Sequence, residues 1–212
     1  MKNIGFVIST KENEKRRAII PKHMHKIKNI NRIYIEKGYG KCLGYSDEEY
    51  ESLGCKTADK AQVLKQDIIC DVKVGDADYI KLLYKQTIFG WVHAVQNKTL
   101  KNMLINNKIT AYAWENMFEH DRHIFYRNNE LAGEAAVMQA FQCYGIMPYN
   151  TKVAILGRGN TARGALKILT SLGAEITVYN RKTIKLFQKE LGLYDVVVNA
   201  LLWDVTRKDH II

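Results

Sequence analysis

Val153-Ala154-Ile155-Leu156-Gly157-Arg158-Gly159-Asn160-Thr161-Ala162 is a short apolar run that ends in glycine-x-glycine-x-x-alanine, and a helical stretch, 163–171, follows it. The order reads as a strand turning tightly into a helix, and a second apolar run at 175–179 gives the next strand. Gly157 permits the turn. Gly159 lets a pyrophosphate approach a backbone that carries no Cβ, and small Ala162 lets helix and strand pack closely. The helix N-terminus, at Asn160, offers free N–H groups and the positive end of its dipole to a phosphate. Dinucleotide binding is the expectation; a glycine turn used only for packing is the alternative.

The end of the second strand reads Val178-Tyr179-Asn180-Arg181-Lys182-Thr183. An Asp or Glu there would bind an adenosine ribose 2′-hydroxyl. Asn180 is neutral instead, and Arg181 and Lys182 can pair with a 2′-phosphate, so NADP(H) is expected over NAD(H). A solvated basic helix start is the competing reading. A third strand, 194–200, ends in Asn199-Ala200; Asn199 is expected either to line the cofactor or to serve as a turn residue.

Working toward the N-terminus, further apolar runs stand at 4–9, 33–36, 68–72, 87–91 and 109–113. Helical patterns separate most of them: 21–27 with Pro21 in its first turn, an acidic start capped by Ser46, and 97–105 with Leu100, Met103 and Leu104 on one face. Strands spaced by helices imply parallel sheets. A longer helix is expected at 130–144, its Ala132, Ala135, Ala136, Ala140 and Cys143 forming one stripe and Val137, Phe141 and Tyr144 widening it. So broad a face predicts a helix buried against two surfaces, joining two domains. Gly145 and Pro148 stop it, and the domain boundary is expected at about 148. The fold class is α/β: two Rossmann-like parallel-sheet domains with the active site in the cleft. Residues 1–148 form a substrate domain with its linking helix, and 149–212 the first half of an NADP-binding domain whose sheet looks truncated.

Composition narrows the function. The 212 residues carry 32 Lys and Arg against 22 Asp and Glu, a net charge of +10, with 47% apolar and 25% charged residues. These are values of a folded globular protein. No apolar window is long enough to span a membrane, and the start is too short for a signal peptide, so a cytoplasmic protein is expected. Cys42, Cys55, Cys70 and Cys143 form no C-x-x-C pair and read as reduced thiols. The cations are dispersed, without a nucleic-acid motif, and suit anionic ligands better than nucleic acid. His23 and His25 point apart on a helix, and His120 and His123 flank a polar connection, so no metal site is expected.

Arg16, Lys73, His93 and Glu115 each follow an apolar run, which suggests a polar site converging at one edge of a sheet. Trp91 and Trp114 lie beside it, as packing residues first and substrate-lining residues second. Glu14-Lys15-Arg16-Arg17-Ala18-Ile19-Ile20-Pro21, Asp71-Val72-Lys73, Gly90-Trp91-Val92-His93 and the glycine turn together resemble the alanine dehydrogenase/pyridine nucleotide transhydrogenase superfamily. Within it, Gly38-Tyr39-Gly40-Lys41, Tyr144-Gly145-Ile146-Met147-Pro148 and Tyr179-Asn180-Arg181-Lys182-Thr183 look like the N5-(carboxyethyl)ornithine synthases.

The resemblance implies an oxidoreductase that condenses pyruvate with the side-chain amine of ornithine or lysine and reduces the imine with NADPH. Arg16 and Lys73 would hold the pyruvate carboxylate and carbonyl oxygen, and His93 would act as acid and base. Arg17 would face solvent or support the site, and Glu115 would orient Lys73 or meet the amine. The chemistry agrees: a 2-oxo acid needs cations, and water loss needs a proton donor that titrates near neutrality. Alanine- or saccharopine-dehydrogenase-like activity, or a catalytically incomplete dinucleotide-binding module, are the alternatives. A homo-oligomer is implied by the family alone.

Overall fold

A computed structural model describes residues 1–201. They form two compact units, divided between Ile124 and Phe125. Among these residues no helix is long and apolar enough to cross a membrane, and all four cysteines are free thiols.

The first unit holds six parallel strands: β1 Ile4–Phe6, β2 Ile33–Glu36, β3 Lys56–Ala58, β4 Ile68–Cys70, β5 Thr87–Gly90 and β6 Thr110–Ala113. Their order is β3-β2-β1-β4-β5-β6. The chain winds one way from β1 to β3, then crosses back to β4. The crevice beyond the carboxyl ends of β1 and β4 is therefore a topological switch point, where ligands bind in such sheets. Ile4 pairs with Ile33 on one side and Ile68 on the other, which fixes the register. Short helices connect the strands: α1 Pro21–Met24, α2 Asp47–Ser52, α3 Lys60–Val63 and α4 Lys98–Asn106. Ser46 caps α2 in a full capping box with Glu49, and Asn97 caps α4. Leu100 and Leu104 of α4 pack with Val7, Val63, Ile69, Val74, Ile80 and Ile88 in the core.

Two elements of this unit lack an apolar run. β3 is an edge strand of Lys56-Thr57-Ala58, in which only Ala58 is buried. β7 Phe118–Glu119 and β8 Arg122–His123 form a hairpin. Its turn residues, His120 and Asp121, both have positive φ, 46° and 59°, the mirror-image turn that matches strand twist. His120 and His123 thus serve turn and core respectively, His123 being buried.

The second unit is built on β9 Lys152–Leu156, with β10 Glu175–Tyr179 and β11 Val196–Asn199 parallel on either side. β9 is buried on both faces. Val153 and Ile155 join the cluster under α5 Tyr126–Tyr144 and α6 Asn160–Ser171, while Ala154 and Leu156 meet Tyr179 and Phe187 on the side of α7 Ile184–Glu190. Alternate side chains serving opposite layers are what a continuous apolar strand covered twice requires.

The long helix departs from its sequence reading in two ways. It starts at Tyr126, a turn earlier, and it belongs to the second unit rather than to the first as the 148 boundary supposed. The reason is its embrace of α6: Gly133, Val137 and Phe141 are its buried residues. The predicted stripe of Ala132, Ala135, Ala136, Ala140 and Cys143 is exposed. The expected alanine stripe is therefore not the buried face; the close approach to α6 is made at Gly133.

Candidate active site

The glycine turn has the geometry its spacing requires. Gly157 follows β9 with φ 118°, a conformation glycine reaches at no steric penalty. A Cβ there would come within 2.8 Å of the Ala200 carbonyl oxygen, so the turn abuts the end of β11, where this sheet reverses its order. A Cβ on Gly159 would meet nothing within 4 Å. That open space, above a helix start with no side-chain cap on its N–H groups, fits a pyrophosphate. Ala162 is buried in the packing of α6.

At the end of β10, Asn180 closes a tight turn rather than pointing freely outward. Its carbonyl side chain accepts the Lys182 N–H at 2.8 Å, and its own N–H donates to the Thr183 hydroxyl at 2.9 Å. The turn leaves Arg181 and Lys182 exposed. Asn199 at the end of β11 is exposed and accepts the Leu201 N–H at 3.2 Å, the turn role of its two readings.

In the first unit the strand-end residues fall at the carboxyl edge of the sheet. The loop after β1 brings Arg16 into a forked pair with Glu14: Nε to Oε1 at 2.9 Å and a terminal nitrogen to Oε2 at 2.5 Å. Burial pulls the Glu14 carboxyl upward, but the hydrogen bonds and charge of Arg16, with the charge of Lys73, hold it below its ordinary value. Arg16, Glu14 and Lys73 therefore share one electrostatic neighbourhood across the switch point. Arg17 turns the other way. It lies 5.3 Å over the Tyr39 ring and donates to the Tyr39, Arg16 and Glu14 carbonyl oxygens, which ties the loop down. Support is thus its role, rather than solvent exposure.

Lys73 stands on a buried acid. Asp71, 1% exposed, accepts the Lys73 N–H at 2.8 Å and the Tyr79 hydroxyl at 2.7 Å. Burial raises its carboxyl above the ordinary range, against the pull of those two bonds and of Ser9. Glu36, at the end of β2, is likewise raised by burial; it accepts the Ile8 N–H at 2.7 Å and lies 3.9 Å from Lys60 Nζ. Sequence reading passed over Glu36, Lys60 and Tyr79, and quoted Asp71 beside Lys73 without giving it a role. The acid that directly follows Ile68-Ile69-Cys70 was the available signal.

His93 follows β5 with φ 54°, a left-handed backbone that a non-glycine residue adopts only when its surroundings impose it. Its ring stacks on Trp91 at 6.0 Å and 11°. Glu115, just beyond β6, accepts the N–H of Val92 at 3.1 Å and of His93 at 2.5 Å. Its partners among the described residues lie after β5, and it makes no hydrogen bond or ion pair with Lys73 there. Trp91 also stacks on His123 and meets Trp114 edge-on, so both tryptophans are buried packing residues.

The β4 and β5 loops touch through backbone. Gly75 N–H donates to the Trp91 carbonyl at 2.9 Å. A Cβ on Gly75 would overlap the Val92 carbonyl oxygen, and one on Gly90 the Asp71 carbonyl oxygen. Lys73 and His93 are held in fixed relation by this close approach.

Residues 7–127 match the family model described as alanine dehydrogenase/PNT, N-terminal domain. The chain is 32% identical over 215 residues to an N(5)-(carboxyethyl)ornithine synthase of Lactococcus lactis subsp. lactis, covering 93% of the chain and 68% of the relative. It is 28% identical to an alanine dehydrogenase of Bacillus subtilis (strain 168), over 87% of the chain and 53% of that protein. The solved transhydrogenase from Sinorhizobium meliloti has the same fold at a TM-score of 0.75 and 20% identity, covering 95% of the chain and 70% of the transhydrogenase.

Proposed function

This chain belongs to the alanine dehydrogenase/PNT family and is an oxidoreductase of that superfamily by descent; from that premise we propose that its parent activity is the NADPH-dependent condensation of pyruvate with the side-chain amine of ornithine or lysine. The observation that carries the reading is the gathering of Arg16, Lys73 and His93 at the carboxyl edge of the first sheet, beside its switch point.

The division of labour follows from the groups present. The Arg16 fork exchanges one carboxylate, Glu14, for the carboxylate of a 2-oxo acid, a planar bidentate match. Lys73 faces the carbonyl oxygen as a point charge and stabilises the alkoxide that forms when the amine adds. His93 takes the proton of the attacking amine and returns one to the departing hydroxyl, so that water leaves and an imine remains. The reduced nicotinamide supplies the hydride. In this reading Gly157, Gly159, Asn160 and Ala162 would hold the pyrophosphate, supported by the open space at Gly159, and the exposed Arg181 and Lys182 would take a ribose 2′-phosphate beside Asn180, with Asn199 at the neighbouring strand end. The absence of a carboxylate at Asn180 supports NADP(H).

The test is NADPH oxidation, followed at its absorbance band, with pyruvate and ornithine, lysine or ammonia. Oxidation that needs both pyruvate and ornithine or lysine is expected. Oxidation with pyruvate and ammonia alone would move the reading to an alanine-dehydrogenase-like activity, which the Bacillus subtilis relative favours. NADPH binding with no turnover on any pair would leave a dinucleotide-binding module.

A further inference from the structure

Glu115 is not free, and among the described residues it pairs with no Lys or Arg side chain. Its two oxygens are taken by two consecutive backbone N–H groups, those of Val92 and His93. Consecutive N–H groups that converge on one anion form a nest, which elsewhere binds phosphate or a ligand carboxylate. Here the protein fills the nest with its own side chain. The occupied nest coincides with the left-handed backbone at His93, where φ is 54°. Such a conformation is unfavourable for a side-chain-bearing residue unless neighbours hold it. Without Glu115, two part-buried N–H groups would lose a charged acceptor and that backbone would lose its brace.

The ring is placed by the same arrangement. Nδ1 lies 4.0 Å from Glu115 Oε1, whereas no contact within that distance joins Nε2 to the carboxylate. Trp91 sets the ring plane by stacking. The carboxylate thus faces one ring nitrogen and leaves the other for chemistry. Glu115 is itself fixed by its place in the short helical turn Trp114–Asn116, whose Trp114 packs edge-on against Phe89 and Trp91.

We propose that Glu115 is a positioning residue for His93: by occupying the Val92–His93 nest it holds the imidazole, with Nδ1 toward the carboxylate and Nε2 toward the substrate. This rests on the reading of His93 as the acid and base. Glu115 touches neither substrate nor cofactor in the proposal; it acts through His93 alone.

The experiment uses the full chain with Glu115→Gln, Glu115→Ala, His93→Ala and the double variant His93→Ala/Glu115→Ala. The kinetic arm expects Glu115→Ala to lower kcat about 100-fold, the scale of a misplaced reacting group, with KM for pyruvate and Kd for NADPH within about threefold. Glu115→Gln, which keeps one acceptor oxygen, should recover part of the loss. The double variant should be no slower than His93→Ala, because a group acting through another adds nothing once that other is gone. A further full loss in the double variant, or a loss confined to KM, would overturn the proposal. A second arm needs no turnover: 15N-resolved NMR of the Val92 and His93 amides and of the His93 ring. Glu115→Ala should speed exchange at both amides and shift the ring nitrogens, while amides elsewhere in the sheet keep their parent resonances. Unaltered resonances would overturn the proposal even in a chain without activity, whereas shifted resonances in a chain without turnover would uphold it and count against the assigned reaction.

Discussion

Gly133 and Gly164 sit in a reciprocal contact between α5 and α6: a Cβ on Gly164 would overlap the Glu130 carbonyl oxygen, and one on Gly133 the Thr161 carbonyl oxygen. Each helix thus lays a glycine against the other's backbone. Around that seam Glu130 pairs with Arg127 and Arg163, and Glu134 with Arg127 and Lys167. These pairs are half exposed and contribute little on their own; the seam depends on close packing. Gly164→Ala and Gly133→Ala should each destabilise the second unit by about 1–3 kcal/mol or more, despite alanine's better helix propensity. Thermal unfolding measures this, and an unchanged midpoint would show that the helices do not meet so closely.

Gly159→Ala should behave in the opposite manner. The new methyl group would enter open space, so stability should change by less than about 1 kcal/mol. The same methyl group would stand where a pyrophosphate must approach, and Kd for NADPH should rise about tenfold, worth about 1.4 kcal/mol. Equal affinity in the two proteins, by fluorescence titration, would remove the turn from phosphate binding.

Arg181→Asp should weaken NADPH more than NADH. A lost charge-assisted hydrogen bond to phosphate is worth about 1.5–3 kcal/mol, a selective loss of about tenfold or more. Parallel titrations with both cofactors decide it; matched losses would leave Arg181 a solvated cation.

His93→Ala should lower turnover by about 100- to 10,000-fold, the range of a general acid–base, with NADPH affinity within about twofold. Normal turnover would rule His93 out and leave its strained backbone without a catalytic reason.

Stability should respond to pH through Asp71. Burial lifts its folded-state pKa above the ordinary 3.8. Between those two values the folded chain holds a proton that the unfolded chain has released. The carboxyl therefore supports folding below 3.8, and that support is lost as pH rises through the folded value. Glu36 has the same sign, from 4.5. Asp71→Asn removes one such group, so its deficit against the parent should shrink as pH rises from below 3.8 to neutrality. Urea unfolding across that range checks it, and a constant deficit would mean Asp71 titrates normally.

The architecture was readable where strands are apolar and buried on both faces. Val153-Ala154-Ile155-Leu156 announces itself because it is packed on both faces, and Ile68-Ile69-Cys70 because consecutive residues, Ile69 and Cys70, are both buried. Lys56-Thr57-Ala58 did not, since an edge strand needs only one inward side chain. The alanines of α5 misled because helical spacing identifies a stripe but alanine is too weakly apolar to fix which stripe is buried; at the seam only a residue with no Cβ fits against a neighbouring carbonyl. At the candidate site, Lys73 and His93 stand out in the sequence as polar residues a few positions after apolar strands, and Arg16 lies in the loop after the first strand. What holds them was not legible. Glu115 binds backbone N–H groups 22 and 23 positions away, and no local pattern encodes a partner at that distance.

The glycines that press the β4 and β5 loops together also constrain how this site could be redesigned. With Gly75 against Val92 and Gly90 against Asp71, neither loop has room to lengthen or bulge without prying the other away. A different substrate would have to be accommodated by exchanging side chains on an unchanged frame, or by remodelling the longer loop between β1 and α1. Directed evolution on this scaffold should accordingly collect point substitutions around Lys73 and His93, and insertions only near Lys11 to Lys15, where the side chains are mostly exposed.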